Sequence, residues 1–203
     1  ITNHTRTSHI AALSRIDEDH YVRLDNFTIR NLELTESMGA DGKSLLDVLD
    51  RTVTPMGARM LRRWLLFPLK DVAAINSRLD VITEFMRQPD MRDELSESLS
   101  SIGDMERLTG KVAVGRVSPR ELNQLSQALS LVEPLKAACS ASSDATLQAI
   151  GEQLNPCAGI RDRIAREIVD DPPVALNRGE VFREGVDEEL DELRHIAYSG
   201  KDY

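Results

Sequence analysis

Gly42-Lys43-Ser44 is where this sequence comes nearest to catalytic chemistry, because a phosphate-binding loop ends in the same glycine, lysine and hydroxyl as it enters a helix. In such a loop the backbone amides and Lys43 would cradle phosphates, and Ser44 would hold magnesium. The pattern also requires a glycine at position 37, where Ser37 stands. It further requires a buried strand ahead of it and a parallel sheet, and the chain has almost no strands to build one. The reading that fits is a loop with Ser44 as a helix N-cap, and a small nucleotide-binding protein using Lys43 and Ser44 is the alternative. Phe182-Arg183-Glu184 places an aromatic wedge two residues before a carboxylate, a pair able to enter a duplex and hydrogen-bond a base. A wedge must protrude toward DNA, whereas Phe182 is expected to pack in the core at the end of a hairpin strand.

Arg59, Arg62, Arg63 and Lys70 could meet phosphates, and the first three are the candidate DNA contacts, although a charged helix face is usually solvated. Asp187, Glu188, Glu189, Asp191 and Glu192 look like paired carboxylates but fall in the first turns of a helix, where negative charge complements the macrodipole. His4, His9, His20 and His195 have no zinc-ligand spacing, and no Gly-x-Ser-x-Gly elbow occurs. No catalytic, cofactor-binding or metal-binding residue is assigned.

Hydrophobic and charged contents of 41% and 29% are those of an ordinary globular domain, and aromatics at 4% favour helix over sheet. A net charge of -9 argues against a self-sufficient nucleic-acid binder. The charge is segregated: Arg51 to Lys70 holds five bases and no acid, whereas Glu180 to Glu192 holds seven acids and one arginine. That polarity suits docking between domains. Cys139 and Cys157 are too few for a disulfide framework, so a reducing cytoplasm is the expected location. No apolar run approaches the roughly 20 residues that cross a bilayer. The start lacks Met and a signal pattern, and the chain is expected to be a piece of a longer protein.

The elements that must position these residues are mainly helices, with a small β-hairpin and the start of a long lever helix. His20 to Leu24 reads as a short strand or extended lead-in, and Asp25 caps a short helix through Leu32. Ser44 caps Leu45 to Asp50. Thr54-Pro55 begins the strongest helix, which Pro68 stops; Met56, Met60, Leu61, Trp64 and Leu65 are its expected core residues. A buried Trp64 would cost roughly 3–5 kcal/mol on truncation to alanine. Asp71 caps a helix with Ile75, Leu79, Ile82 and Met86 on one stripe. Helices follow at about Met91 to Leu99 and Met105 to Val114. Ser118-Pro119-Arg120-Glu121 is a capping box that opens a long helix with the stripe Leu122, Leu125, Leu129, Val132. After a loop at Ser140 to Ser143 come two more helices, the second marked by Ile160, Ile164 and Ile168. Val174 to Arg183 reads as a hairpin turning at Asn177-Arg178-Gly179. A final amphipathic helix carries Val186, Leu190, Leu193 and Ala197, bent near Gly200. Eight to ten helices are expected in all.

From about His9 onward the chain resembles the core, or lever, domain of the MutS family. The resemblance rests on Arg30-Asn31-Leu32-Glu33-Leu34, on the unbroken block Ser44 to Leu65, and on Pro68-Leu69. Asp104 to Leu108, Pro172-Pro173 and Glu189 to Arg194 continue it in order. It looks closer to the mismatch repair branch than to the shorter paralogue. The resemblance implies a DNA-repair protein whose full-length form is a dimeric clamp around mismatched DNA with an ATPase at one end. It places ATP and magnesium in the parent and none in this segment, and it carries over no catalytic residue. It also implies residues 1–8 as a disordered or tag-like end and 9–185 as a helical core against connector and ATPase domains. Residues 186–203 would begin a lever toward an absent clamp domain. A free-standing helical scaffold for partner proteins is a further alternative.

Overall fold

The computed structural model describes residues 20–174 and 179–199, the side chain of Tyr198 apart. The expected end at 1–8, His4, His9, Asn177, Arg178 and the bend at Gly200 lie outside the described residues. Within them the chain is helical, with eleven helices in succession and no strand. The extended segments make only two isolated antiparallel bridges, Tyr21 with Leu69 and Ile168 with Phe182.

Side-chain caps account for most helix starts. Asp25 accepts from Thr28 N–H to begin α1 (Asn26–Asn31), and Ser44 opens α2 (Leu45–Leu49) through a capping box with Asp47. Thr54 caps α3 (Pro55–Leu66), where Pro55 takes the first-turn position whose N–H has no helical partner. Asp71 caps α4 (Val72–Arg87), and Pro89 begins α5 (Pro89–Ile102). Gly103, at φ 71°, ends α5, and Asp104 caps α6 (Met105–Ala113). The Ser118–Glu121 capping box opens α7 (Pro119–Ser130), and Lys111 of α6 pairs with Glu121. Those donors and the Lys111 charge draw the Glu121 carboxyl down to about 2.

The single long helix expected after Ser118 is two. Pro134 has no N–H to donate to the Ser130 carbonyl four residues back, and its ring crowds that carbonyl. The chain therefore turns at Leu131 and restarts as α8 (Val132–Ala141). Then come α9 (Ala145–Gln153), α10 (Ala158–Glu167) and α11 (Glu188–Ser199).

The core lies where α5, α7, α8 and α9 meet. Leu95, Ile102, Ala128, Leu135, Cys139 and Leu147 are buried together, and Met56, Val81 and Phe85 pack against them from α3 and α4. Of the stripe expected after Ser118, Leu125 and Leu129 of α7 and Val132 of α8 are buried, and Leu122 is half-buried. Two other expectations are corrected. On α3, Met60 and Trp64 are 57% and 42% exposed, and no residue of that helix is fully buried; only Met56 reaches the central cluster. On α4, Leu79, Ile82 and Met86 are exposed, and the helix turns Val81, Phe85 and Glu84 inward instead.

Glu84 is 5% exposed yet satisfied. It accepts from the Ser143 hydroxyl at 2.7 Å, from the Ser142 hydroxyl at 3.4 Å and from the Gln88 amide. The Ser143 donor above all holds its carboxyl below the usual range. A buried carboxylate is tolerated only with such partners.

The expected hairpin does not form among the described residues, which hold no strand. Val169 N–H donates to the Val181 carbonyl at 3.0 Å and Arg183 N–H to the Glu167 carbonyl at 2.9 Å, so the 181–183 segment pairs with the end of α10 and not with Val174. Pro172 and Pro173 carry no N–H, which leaves the residues before them to supply the ladder.

Candidate functional site

The Lys43-Ser44 loop is built for capping. Ser44 is fully buried; its hydroxyl donates to the Asp47 carboxylate at 2.7 Å and its N–H at 2.9 Å, while Asp47 N–H donates back to the hydroxyl at 3.2 Å. These two donors, the hydroxyl first, hold the Asp47 carboxyl below its ordinary value. The hydroxyl that would have to meet magnesium thus faces inward and is already bonded, and α2 is only five residues long. Nucleotide and metal do not fit here. Among the described residues no group of three or more His, Cys, Asp and Glu is placed to hold a metal.

The three candidate arginines of α3 part company in space. Arg59 is spent on two carboxylates: Nη1 and Nη2 donate to Asp104 at 3.0 and 2.7 Å, and Nε and Nη2 to Glu106 at 2.8 and 2.5 Å. Forked pairing of this kind is the strongest geometry a guanidinium offers. Asp104 also caps α6, so one ion cluster locks α3 to the start of α6. The Arg59 guanidinium holds Asp104 down at about 2, and the carboxylates raise the guanidinium in turn. Arg62 lies 4.0 Å from exposed Glu36, a loose surface pair. Arg63 is exposed and borders an open groove of about 530 Å³ with Tyr21, Met56, Trp64, Phe67 and Arg78. Arg78 lies over the Trp64 ring. The structure therefore sets Arg59 tightly and Arg62 loosely beside acids of its own chain and leaves Arg63 facing outward. Sequence reasoning missed Asp104, Glu106 and Arg78 as partners, since they stand 14 or more residues away on other helices.

A second polar junction was not foreseen. From α7, Arg120 Nε donates to the Pro172 carbonyl at 2.7 Å and Nη2 pairs with Asp171 at 2.9 Å, while the Asn123 amide donates to the Val169 carbonyl at 2.7 Å. Arg183 ties that segment to α10, with Nε on the Ala165 carbonyl at 3.2 Å and Nη2 on Asp170 at 2.5 Å. Phe182, expected in the core, is 44% exposed, although its backbone bridges to buried Ile168. Phe182 and Glu184 line one open cavity of about 660 Å³ with Arg183 and Arg194. The arrangement is mechanical: side chains of α7 clamp backbone carbonyls of the irregular segment after α10, and Arg183 adds an ion pair to it from the 181–183 segment.

A family model described as MutS domain III matches residues 27–199, which takes in both junctions. The chain belongs to the MutS domain III family. The DNA mismatch repair protein MutS of Bacteroides thetaiotaomicron is 59% identical over 203 residues, covering 100% of this chain and 24% of the relative. That of Parabacteroides distasonis is 60% identical over 202 residues, with 100% and 23% covered, and that of Christiangramia forsetii is 44% identical over 202 residues, with the same coverage. This domain III thus spans about a quarter of the length of the curated relatives it matches. No helix among its described residues is long and apolar enough to cross a membrane.

Proposed function

We propose that this domain III is the core and lever of a MutS-type DNA mismatch repair protein, a relay that couples DNA held at a clamp to an ATPase while performing no chemistry of its own. The observation that carries the reading is the family match over 27–199, together with relatives named for mismatch repair along the whole of this chain. The inward-facing, bonded Ser44 hydroxyl supports placing ATP and magnesium elsewhere in the parent protein. Stiff helices clamped at their ends suit transmission, because packed interfaces switch between discrete arrangements more readily than they deform. Both distant ligands would then bias one equilibrium, and the coupling would be reciprocal. The partners on this reading are mismatched duplex DNA through the parent, the connector, clamp and ATPase domains of the same chain, and a second parent subunit, in the cytoplasm. The alternative of a nucleotide site at Lys43 and Ser44 has no geometry to recommend it.

The test is to soften the relay without removing it. Inserting Gly-Ser-Gly after Glu184 in the parent protein is expected to leave duplex binding and basal ATP turnover within about twofold, and to abolish the change in turnover that mismatched duplex produces. A response of wild-type size in the insertion variant would sink the relay. On this chain alone, equilibrium dialysis with ATP and magnesium is expected to show no saturable binding, and saturable binding lost in Lys43→Ala would restore the alternative.

A further inference from the structure

The helical body and α11 are joined through one short stretch of chain, and two side chains of α11 govern it. Residues 181–183 belong to the body, being bridged to Ile168 and gripped through Arg183. Glu184 and Gly185 follow, and Gly185 takes φ +84°, a conformation an L side chain adopts only under strain. From the far side of this turn, Arg194 reaches back across it. Its Nη2 donates to the Phe182 carbonyl at 2.9 Å, while its Nη1 pairs with Asp191 at 3.0 Å. The other oxygen of Asp191 accepts the Gly185 N–H at 2.6 Å.

An acid and an arginine three residues apart on a helix are commonly a solvated surface pair. Here each has a further bond to the backbone outside the helix, one to the rim of the body and one to the turn, and both side chains are only 24% exposed. Apolar burial gives α11 little other hold. Val186 and Leu190 are half-buried, and Leu193 and Ile196 are exposed. Direction must therefore come from the polar contacts, whose geometry is narrow.

We propose that Asp191 and Arg194 are positioning residues that set the angle between α11 and the helical body, with Gly185 as the pivot. The proposal rests on the relay reading for its purpose, and on two backbone-anchored contacts and the ion pair that joins them for its geometry. Released from the clasp, α11 would keep its helix and sample a range of directions about Gly185.

Pulsed electron-resonance distances between spin labels on Gln127 of α7 and Glu192 of α11, both exposed, test it in this chain. Cys157 is first replaced by serine, and buried Cys139 is left in place. The unaltered clasp is expected to give one narrow distribution. Arg194→Ala should broaden it at least twofold with the thermal melt followed by Trp64 fluorescence unchanged. Arg194→Lys should broaden it as well, because a single ammonium cannot span two acceptors. An unaltered width in Arg194→Ala overturns the proposal. Should that variant melt early, the near-isosteric Asp191→Asn is read the same way, and an unaltered width there overturns it equally. The labels report the angle in the isolated chain, so a negative result leaves the relay reading to its own insertion test. A broadened angle in this chain, with mismatch-responsive ATP turnover intact in the parent carrying Arg194→Ala, would count against the relay alone.

Discussion

The guanidinium carbon of Arg78 lies 3.7 Å from the centroid of the Trp64 ring. Trp64 is therefore held from one side by a cation on a neighbouring helix and left open on the other, at 42% exposure. Half of an indole's apolar burial plus a cation–π contact at an open site amount to about 1–2 kcal/mol. Trp64→Ala is expected to lower the unfolding free energy read from urea titration by that much, not by the larger loss that a core tryptophan would bring. A loss above about 3 kcal/mol would mean that the ring is fully enclosed in solution.

Two glycines in different helices should respond to alanine with opposite signs. Gly110 sits inside α6 with nothing within 4 Å of where a Cβ would go, so Gly110→Ala gains helix propensity and should stabilise the chain by about 0.5–1 kcal/mol. Gly151 of α9 is buried against α8: a Cβ there would stand 2.9 Å from the Ser140 backbone nitrogen and 3.2 Å from Cys139 Cβ. The same propensity gain is available, but backbone cannot step aside as a side chain can, and overpacking typically costs about 1–3 kcal/mol. The packing cost wins. Thermal melts of the two variants should shift apart, and a stabilised Gly151→Ala would show that α8 and α9 are less closely apposed than they appear.

Much of this fold was legible one residue at a time. Asp25, Ser44, Thr54, Asp71 and Ser118 could be named as caps because a cap bonds N–H groups two or three residues ahead, a relationship contained in the local sequence. The faces were less legible. On α4, Leu79, Ile82 and Met86 form as good a stripe as Val81 and Phe85, and which stripe is covered depends on what lies across from it. Nothing local marks Glu84 as the buried residue of that helix either, since its serine partners stand 58 and 59 residues further along. Arg59 looked like a phosphate contact for the same reason: its carboxylates are 45 and 47 residues away. Arg194 could be read as a helix-surface charge, but not as the partner of a carbonyl twelve residues back across a glycine turn. Local rules gave the helices, and contacts at long sequence range decided which of their residues do anything.

The Arg59–Asp104 pair makes the last of these distinctions measurable as a dependence on pH. Guanidinium hydrogen bonds hold the Asp104 carboxyl at about 2 in the folded chain, below the 3.8 of an unperturbed aspartate. A group whose folded pKa is depressed stabilises the fold above its unfolded pKa, and that contribution is lost as pH falls through the folded one. The contribution of Asp104 should accordingly be complete above about pH 5 and disappear between about pH 4 and pH 2. Asp104→Asn keeps an acceptor for the Arg107 N–H at the start of α6 and removes the charge. Urea midpoints of the two proteins should differ at pH 6, with the aspartate form the more stable, and converge as the solution is taken toward pH 2. Glu121, held near 2 by Lys111 and Ser118, titrates over the same range but is common to both proteins and cancels in the comparison. A gap that stays constant from pH 6 to pH 2 would mean that Arg59 does not rest on Asp104, which would leave the guanidinium to Glu106.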